Sequence, residues 1–223
     1  MSEVLWQWPT QTRVGRVVPK TKFYDKAKVS SRIRDAFVSE VARITWAHTL
    51  SPQTHNLAGT LAVPEIQVFA VEAKPGREVR GAVLDVVDAA VQMPILFEEH
   101  GAYGVRTRAA AKLPGLKGPK LTPRLDGDWL DPSRPRSVLP TALDLEGLYT
   151  QLLLPLLSLQ PRPGEPLPEV LDRIDHAQAL ARQIKALESR MAKEKQLNRK
   201  MEIRRQLRER MSEYDIATNV AGH

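Results

Sequence analysis

The sequence predicts an α+β protein: a small mixed sheet with packed helices, followed by a long, coiled-coil-like C-terminal helix. Three observations predict it. Short β-branched runs alternate with amphipathic helical patterns between residues 18 and 158. A Pro-rich segment, PRPGEPLP at 161–168, then interrupts the pattern. Beyond it no Gly or Pro occurs until Gly222, and apolar residues recur at 3–4 spacing. The expected organisation is an arm (1–17), an α+β domain (18–158), a linker (159–168), a basic helix (169–215) and a tail (216–223).

In the arm, Trp6 and Trp8 flank Gln7 and Pro9 follows, which suits a short strand or a flexible tail. Ser30 or Ser31 can cap a helix. Ile33, Phe37, Val41 and Ile44 then extend it at helical spacing to about His48, where Ser51-Pro52 stops it. Residues 65–74 (EIQVFAVEAK) read as a strand buried on both faces. Val79, Val83, Val86, Val87, Ala90 and Val91 make one apolar face of a helix, although valine lowers helix propensity. Residues 94–98 and 103–108 read as two strands joined by a turn at His100-Gly101. This order predicts a strand–helix–strand crossover with an antiparallel extension. Residues 113–140 read as loop with room for one short strand near Trp129. Residues 143–157 read as an apolar helix, with Asp144 near its start and Pro155 kinking or ending it.

The net charge is +7 and the isoelectric point about 9.8, a balance suited to nucleic acid, an anionic surface or an acidic protein. The absence of Cys excludes disulfides, Cys-ligated metals and thiol catalysis. The N-terminal residues lack a signal-peptide pattern and no apolar run approaches a membrane span, so a cytoplasmic location is expected.

The C-terminal helix concentrates the charge. Its apolar seam is Ile174, Ala177, Leu180, Ile184, Leu187 and Met191. From Lys193 to Arg210 there are eight basic residues (Lys193, Lys195, Arg199, Lys200, Arg204, Arg205, Arg208, Arg210) against Glu194, Glu202 and Glu209. The difference is +5, most of the chain's excess. A solvated face laced with ion pairs, such as Glu202 with Arg205, is one reading. A surface for a protein partner or for phosphates is the other, with Lys193, Lys195, Arg199, Lys200, Arg204, Arg205 and Arg208 as its contacts. As one straight helix the segment would reach roughly 70 Å.

Catalytic patterns are scarce. The five histidines show no metal-ligand spacing, and no phosphate-binding Gly-rich loop or nucleophile elbow occurs. Glu72-Ala73-Lys74 at a strand end is the weak exception. In a Mg²⁺-dependent restriction-like nuclease, Glu72 would hold the metal and Lys74 would position water. The nearest upstream acid is Glu65, at the start of the same strand. No cofactor is expected otherwise.

A further set of segments occurs in a recognisable order. It comprises Val18-Pro19-Lys20 with Phe23-Tyr24, Ile44-Thr45-Trp46 leading to Leu50-Ser51-Pro52, Ile66-Gln67-Val68-Phe69 with Glu72, and Pro94-Ile95-Leu96-Phe97. Lys193-Glu194-Lys195-Gln196 follows, with Asn198-Arg199-Lys200 and Glu202 after it. Together they resemble the prokaryotic domain-of-unknown-function family 4391. The resemblance implies company with helicases and DNA methyltransferases in restriction-like, antiphage gene neighbourhoods, and it transfers no catalytic residue. The expected function is therefore a non-enzymatic accessory subunit of a DNA-targeting defence complex, with a helicase or methyltransferase-type partner, DNA or a second copy on the basic helix. The alternatives are the nuclease through Glu72 and Lys74, and a purely structural oligomer.

Overall fold

A computed structural model of the chain describes residues 4–25, 29–113 and 120–219. The chain divides into two units at Leu156. The first is built on a six-stranded sheet. Its strands are β1 (Arg13–Val17), β2 (Val41–Leu50), β3 (Ile66–Ala73), β4 (Ile95–Gly101), β5 (Gly104–Ala109) and β8 (Leu125–Asp126), in spatial order β1-β2-β3-β4-β5-β8. β6 (Lys112–Leu113) and β7 (Lys120–Leu121) form a separate two-stranded ladder. Helices α1 (Thr21–Tyr24), α2 (Ser31–Glu40), α3 (Pro52–His55), α4 (Gly81–Ala90) and α5 (Leu145–Leu153) complete this unit. The mixed α+β class is the expected one.

The centre of the sheet follows the expected crossover. β3 pairs parallel with β4, with Phe69 opposite Phe97, and α4 connects them. β4 turns back antiparallel into β5 at Gly101 and Gly104. Gly104 has φ +123, and a Cβ there would lie 2.1 Å from the Leu130 carbonyl oxygen, so this turn requires glycine. Residues Ile66, Gln67, Val68, Phe69 and Val71 of β3 are buried, so the strand is covered on both faces. On one face Phe69, Val71, Ile95 and Phe97 meet Ala36 and Phe37 of α2, Val83, Leu84 and Val87 of α4, and Phe23 of α1. Asp144 caps α5 by accepting from the Gly147 N–H at 2.8 Å, and Pro155 sits in a single 3-10 turn that ends it.

Two expectations are overturned. The helix predicted to run to His48 ends at Glu40, and β2 begins at once. Ser30 caps it as expected. Val41, Ile44, Thr45, Trp46 and Thr49 are β-branched or aromatic and favour the strand. The helical spacing of Val41 and Ile44 has a different origin. The register against β3 shifts between Val41 and Arg43, and this bulge lets both residues enter the core that α2 and α4 cover.

The second correction is larger. Residues 169–215 do not form one helix. α6 (Leu167–Lys193) and α7 (Leu197–Thr218) are separated by Glu194, Lys195 and Gln196, and the second unit is their hairpin. Glu194 is extended, with φ −77 and ψ 129. Its carboxylate accepts from the N–H groups of Lys195 and Gln196 at 2.9 and 2.8 Å. Nothing in local propensity demands a break here. Packing decides: Ala177 and Leu180 of α6 form one cluster with Ala217, Tyr214 and Leu159, whereas helix propensities differ by only tenths of a kcal/mol per residue.

Candidate partner-binding surface

The hairpin is closed at its open end by two arginines. Arg173 of α6 donates to both carboxylate oxygens of Glu165, each at 2.7 Å, and to the carbonyls of Gln160 and Ala217. Arg162 donates to the carbonyls of Ile216 and Asn219. Cations at these last carbonyls of α7 satisfy acceptors that have no intrahelical donor and complement the helix dipole. The hydrogen bonds from Arg173, with that from the Arg162 N–H, hold the Glu165 carboxyl down to about 2. The Pro-rich segment 161–168 therefore carries anchoring contacts, with its turn at Gly164 in a left-handed conformation (φ +75).

Along α7, Ile203, Leu207 and Ala217 are buried and Tyr214 is half-buried. The cations lie elsewhere on the helix. Arg205 pairs with Glu202 and Glu209, and Arg210 pairs with Glu213. Lys193, Lys195, Arg199, Lys200, Arg204 and Arg208 are exposed and form no salt bridge among the described residues. Leu197, Met201 and Met211 are exposed beside them, and Leu197, Met201, Arg204, Arg208 and Met211 follow 3–4 spacing on one side. The fold divides the basic run: Lys193 ends α6, Lys195 lies in the connection, and the rest ride on α7. In the expected seam, Ile174, Ala177 and Leu180 are buried, while Ile184, Leu187 and Met191 are only half-buried towards the tip.

Charge is handled oppositely inside the first unit. α4 is rich in valine and its N-cap residue, Arg80, makes no side-chain cap. Buried charges hold its two ends instead. At the N-terminus, Glu99 accepts from the Val79 N–H at 2.8 Å and Glu40 from the Arg80 N–H at 3.0 Å. At the C-terminus, Lys112 donates to the carbonyls of Asp88, Val91 and Met93. Both placements oppose the helix dipole in the stabilising sense. Arg108 joins this lattice, donating to Glu99 at 2.9 Å, to the Val79 carbonyl and to both oxygens of Asp126. Arg106 bonds Glu99 and stacks on Trp129, 4.2 Å from its ring centre. Arg124 spans Asp85 and Asp88. Burial pushes the Lys112 ammonium down to about 8 against the opposing pull of Asp88, and burial raises the Asp88 carboxyl against Arg124. These perturbed groups secure a helix and a strand pair, and no local sequence pattern marks them, because the partners come from separate elements.

The other weak candidates are not assembled into a ligand set. Glu72, at the end of β3, accepts from Arg43 Nε at 2.8 Å. Lys74 follows the strand, and its N–H donates to the Glu40 carbonyl. Glu65 accepts from Gln67 Nε2, and seven residues of extended chain place it roughly 23 Å from Glu72. No group of three or more His, Asp or Glu side chains arranged to hold a metal occurs among the described residues. His48 Nδ1 lies 2.9 Å from the Thr12 hydroxyl, and His55 ends α3.

Fold and surface thus define a mixed α+β sheet protein carrying a basic helical hairpin. The sequence profile of the family described as domain of unknown function DUF4391 matches residues 7–213. The chain belongs to this family. No curated protein and no solved structure matches it. No helix among the described residues is long and apolar enough to cross a membrane.

Proposed function

We propose that the chain is a non-enzymatic accessory subunit of a DNA-targeting defence or restriction-type complex, and that the α6–α7 hairpin is its contact surface. The observation that carries this reading is the set of exposed cations on α7 and the tip that form no salt bridge among the described residues, beside Leu197, Met201 and Met211. A solvated helix gains nothing from exposed methionines, and phosphates have no use for them. An acidic protein groove uses both, taking the apolar side chains at 3–4 spacing and the arginines at its rim. The partner is accordingly a protein of the helicase or methyltransferase type, with DNA backbone as the competing ligand.

Co-purification with such proteins encoded beside this chain tests the reading, followed by DNA binding over a salt series. The expected result is a stoichiometric complex with one neighbour-encoded protein. DNA binding without a protein complex, losing affinity with a slope of about 0.9 per phosphate contacted, would transfer the surface to DNA. A monomer that binds neither would end the proposal.

A further inference from the structure

A second feature lies in the first unit, independent of the hairpin. A cleft of about 410 Å³ is lined by Arg16, Val17, Val18, Pro19, Lys22 and Phe23, and by Trp46, Gln67, Phe69 and Val91. That volume is within the range of small-molecule sites. Its aromatic wall is ordered: the Trp46 and Phe69 rings are nearly parallel (9°, centroids 6.5 Å apart), and Phe23 meets Phe69 edge-on at 73°. Its two cations, Arg16 and Lys22, are exposed and form no salt bridge among the described residues. No acidic side chain among the described residues lines it.

Two polar groups there have unused capacity. Gln67 is only 8% exposed. Its Nε2 donates to Glu65, and its carbonyl oxygen accepts no hydrogen bond among the described residues. The buried Trp46 Nε1 has no hydrogen-bond partner either. Of the two, only the Trp46 nitrogen is shut off from solvent, and the Gln67 oxygen is the acceptor open to a ligand.

We propose that this cleft binds a nucleotide, its base stacked on Trp46 with an amino edge on the Gln67 carbonyl, and its phosphate on Arg16 and Lys22. An apolar ligand would leave both cations unused, and a simple anion would leave the aromatic wall unused. A nucleotide uses the aromatic wall, the Gln67 carbonyl and both cations. An added peptide strand is disfavoured, although β1 is an exposed edge. The register of β1 shifts between Arg13 and Arg16, and Gly15 takes φ +66, so the edge offers no regular ladder.

The test titrates the full chain with dAMP and, separately, with a short oligodeoxyadenylate strand, by calorimetry and tryptophan quenching. Saturable binding of either is expected. Binding of dAMP alone identifies a free nucleotide as the ligand, and preference for the strand identifies a nucleotide borne on single-stranded DNA. The double substitution Arg16→Ser with Lys22→Ser touches only exposed side chains and should weaken binding roughly tenfold or more. Trp46→Leu should weaken it by roughly five- to 150-fold, the loss of one base–aromatic stack. Reversal of the α7 cations should leave dAMP binding unchanged, which separates this site from the hairpin. No saturable binding at millimolar dAMP or with the strand, or binding that survives the Arg16/Lys22 substitution, overturns the proposal.

Discussion

The two units of this protein treat charge in opposite ways. In the sheet unit, Glu99, Asp88, Arg108 and Lys112 are buried, and each is engaged by neighbours at the ends of α4 or across β4 and β5. In the hairpin unit, most of the cations of the basic run are exposed and form no salt bridge among the described residues. The first arrangement stabilises a fold, because a buried charge that loses its partner is heavily penalised. The second adds little to stability, since exposed ion pairs contribute only about 0–1 kcal/mol even when formed. Charge that stabilises nothing in the folded chain is available for a partner.

Substitutions can break that contrast from either side. The largest effect is expected at Arg108. Its replacement by Met leaves Glu99 and Asp126 short of a partner and should cost roughly 3–5 kcal/mol, read as an earlier urea transition. A cost below about 1 kcal/mol would mean the lattice is not structural.

A smaller, pH-dependent effect is expected at the hairpin anchor. Glu165→Gln removes a charge-assisted pair with Arg173 and should cost roughly 1.5–3 kcal/mol near neutral pH. Because the folded-state value of Glu165 is depressed from 4.5 to about 2, its contribution is complete above about pH 4.5. It disappears as pH falls towards 2. The wild-type and Glu165→Gln unfolding curves should therefore converge over that acid window, and a gap that stays constant would remove Glu165 from the anchor.

The smallest stability effect is expected on the α7 surface. Arg204→Glu with Arg208→Glu should move stability by no more than about 0.5 kcal/mol per site, checked by thermal unfolding. A large destabilisation would show these arginines to be structural and would erase the difference between the units.

Much of the sheet was readable from short-range pattern. The β3–α4–β4 crossover and the β4–β5 turn follow from β-branched runs, a valine-lined helical face and His100-Gly101. The two failures share a cause: a local period was read where a non-local contact decides. At Val41 and Ile44 a bulge against β3 imitates helical spacing. At Glu194 a good helix-forming stretch bends because α7 finds Ala177 and Leu180 of α6. The apolar seam ends at Met191 and the charged run begins at Lys193, just before that bend. The site was legible as composition, the +5 segment, and not as shape. The pairing of Arg205 and Arg210 with Glu202, Glu209 and Glu213 is local to α7, at i,i+3 and i,i+4 spacing, whereas the burial of Ile203, Leu207 and Ala217 was not legible without the hairpin. The lattice around α4 had no sequence signature, since Glu40, Glu99, Arg108, Lys112 and Asp126 come together only in three dimensions.

The central claim is that the exposed cations of α7 exist for a partner. The most direct measurement is affinity for any neighbour-encoded protein that co-purifies, and for duplex DNA, with Arg199, Lys200, Arg204 and Arg208 all changed to Glu. The account predicts an unfolding curve close to that of the wild type and loss of the complex. Retained binding in a correctly folded variant would contradict it and leave these residues as solvated surface.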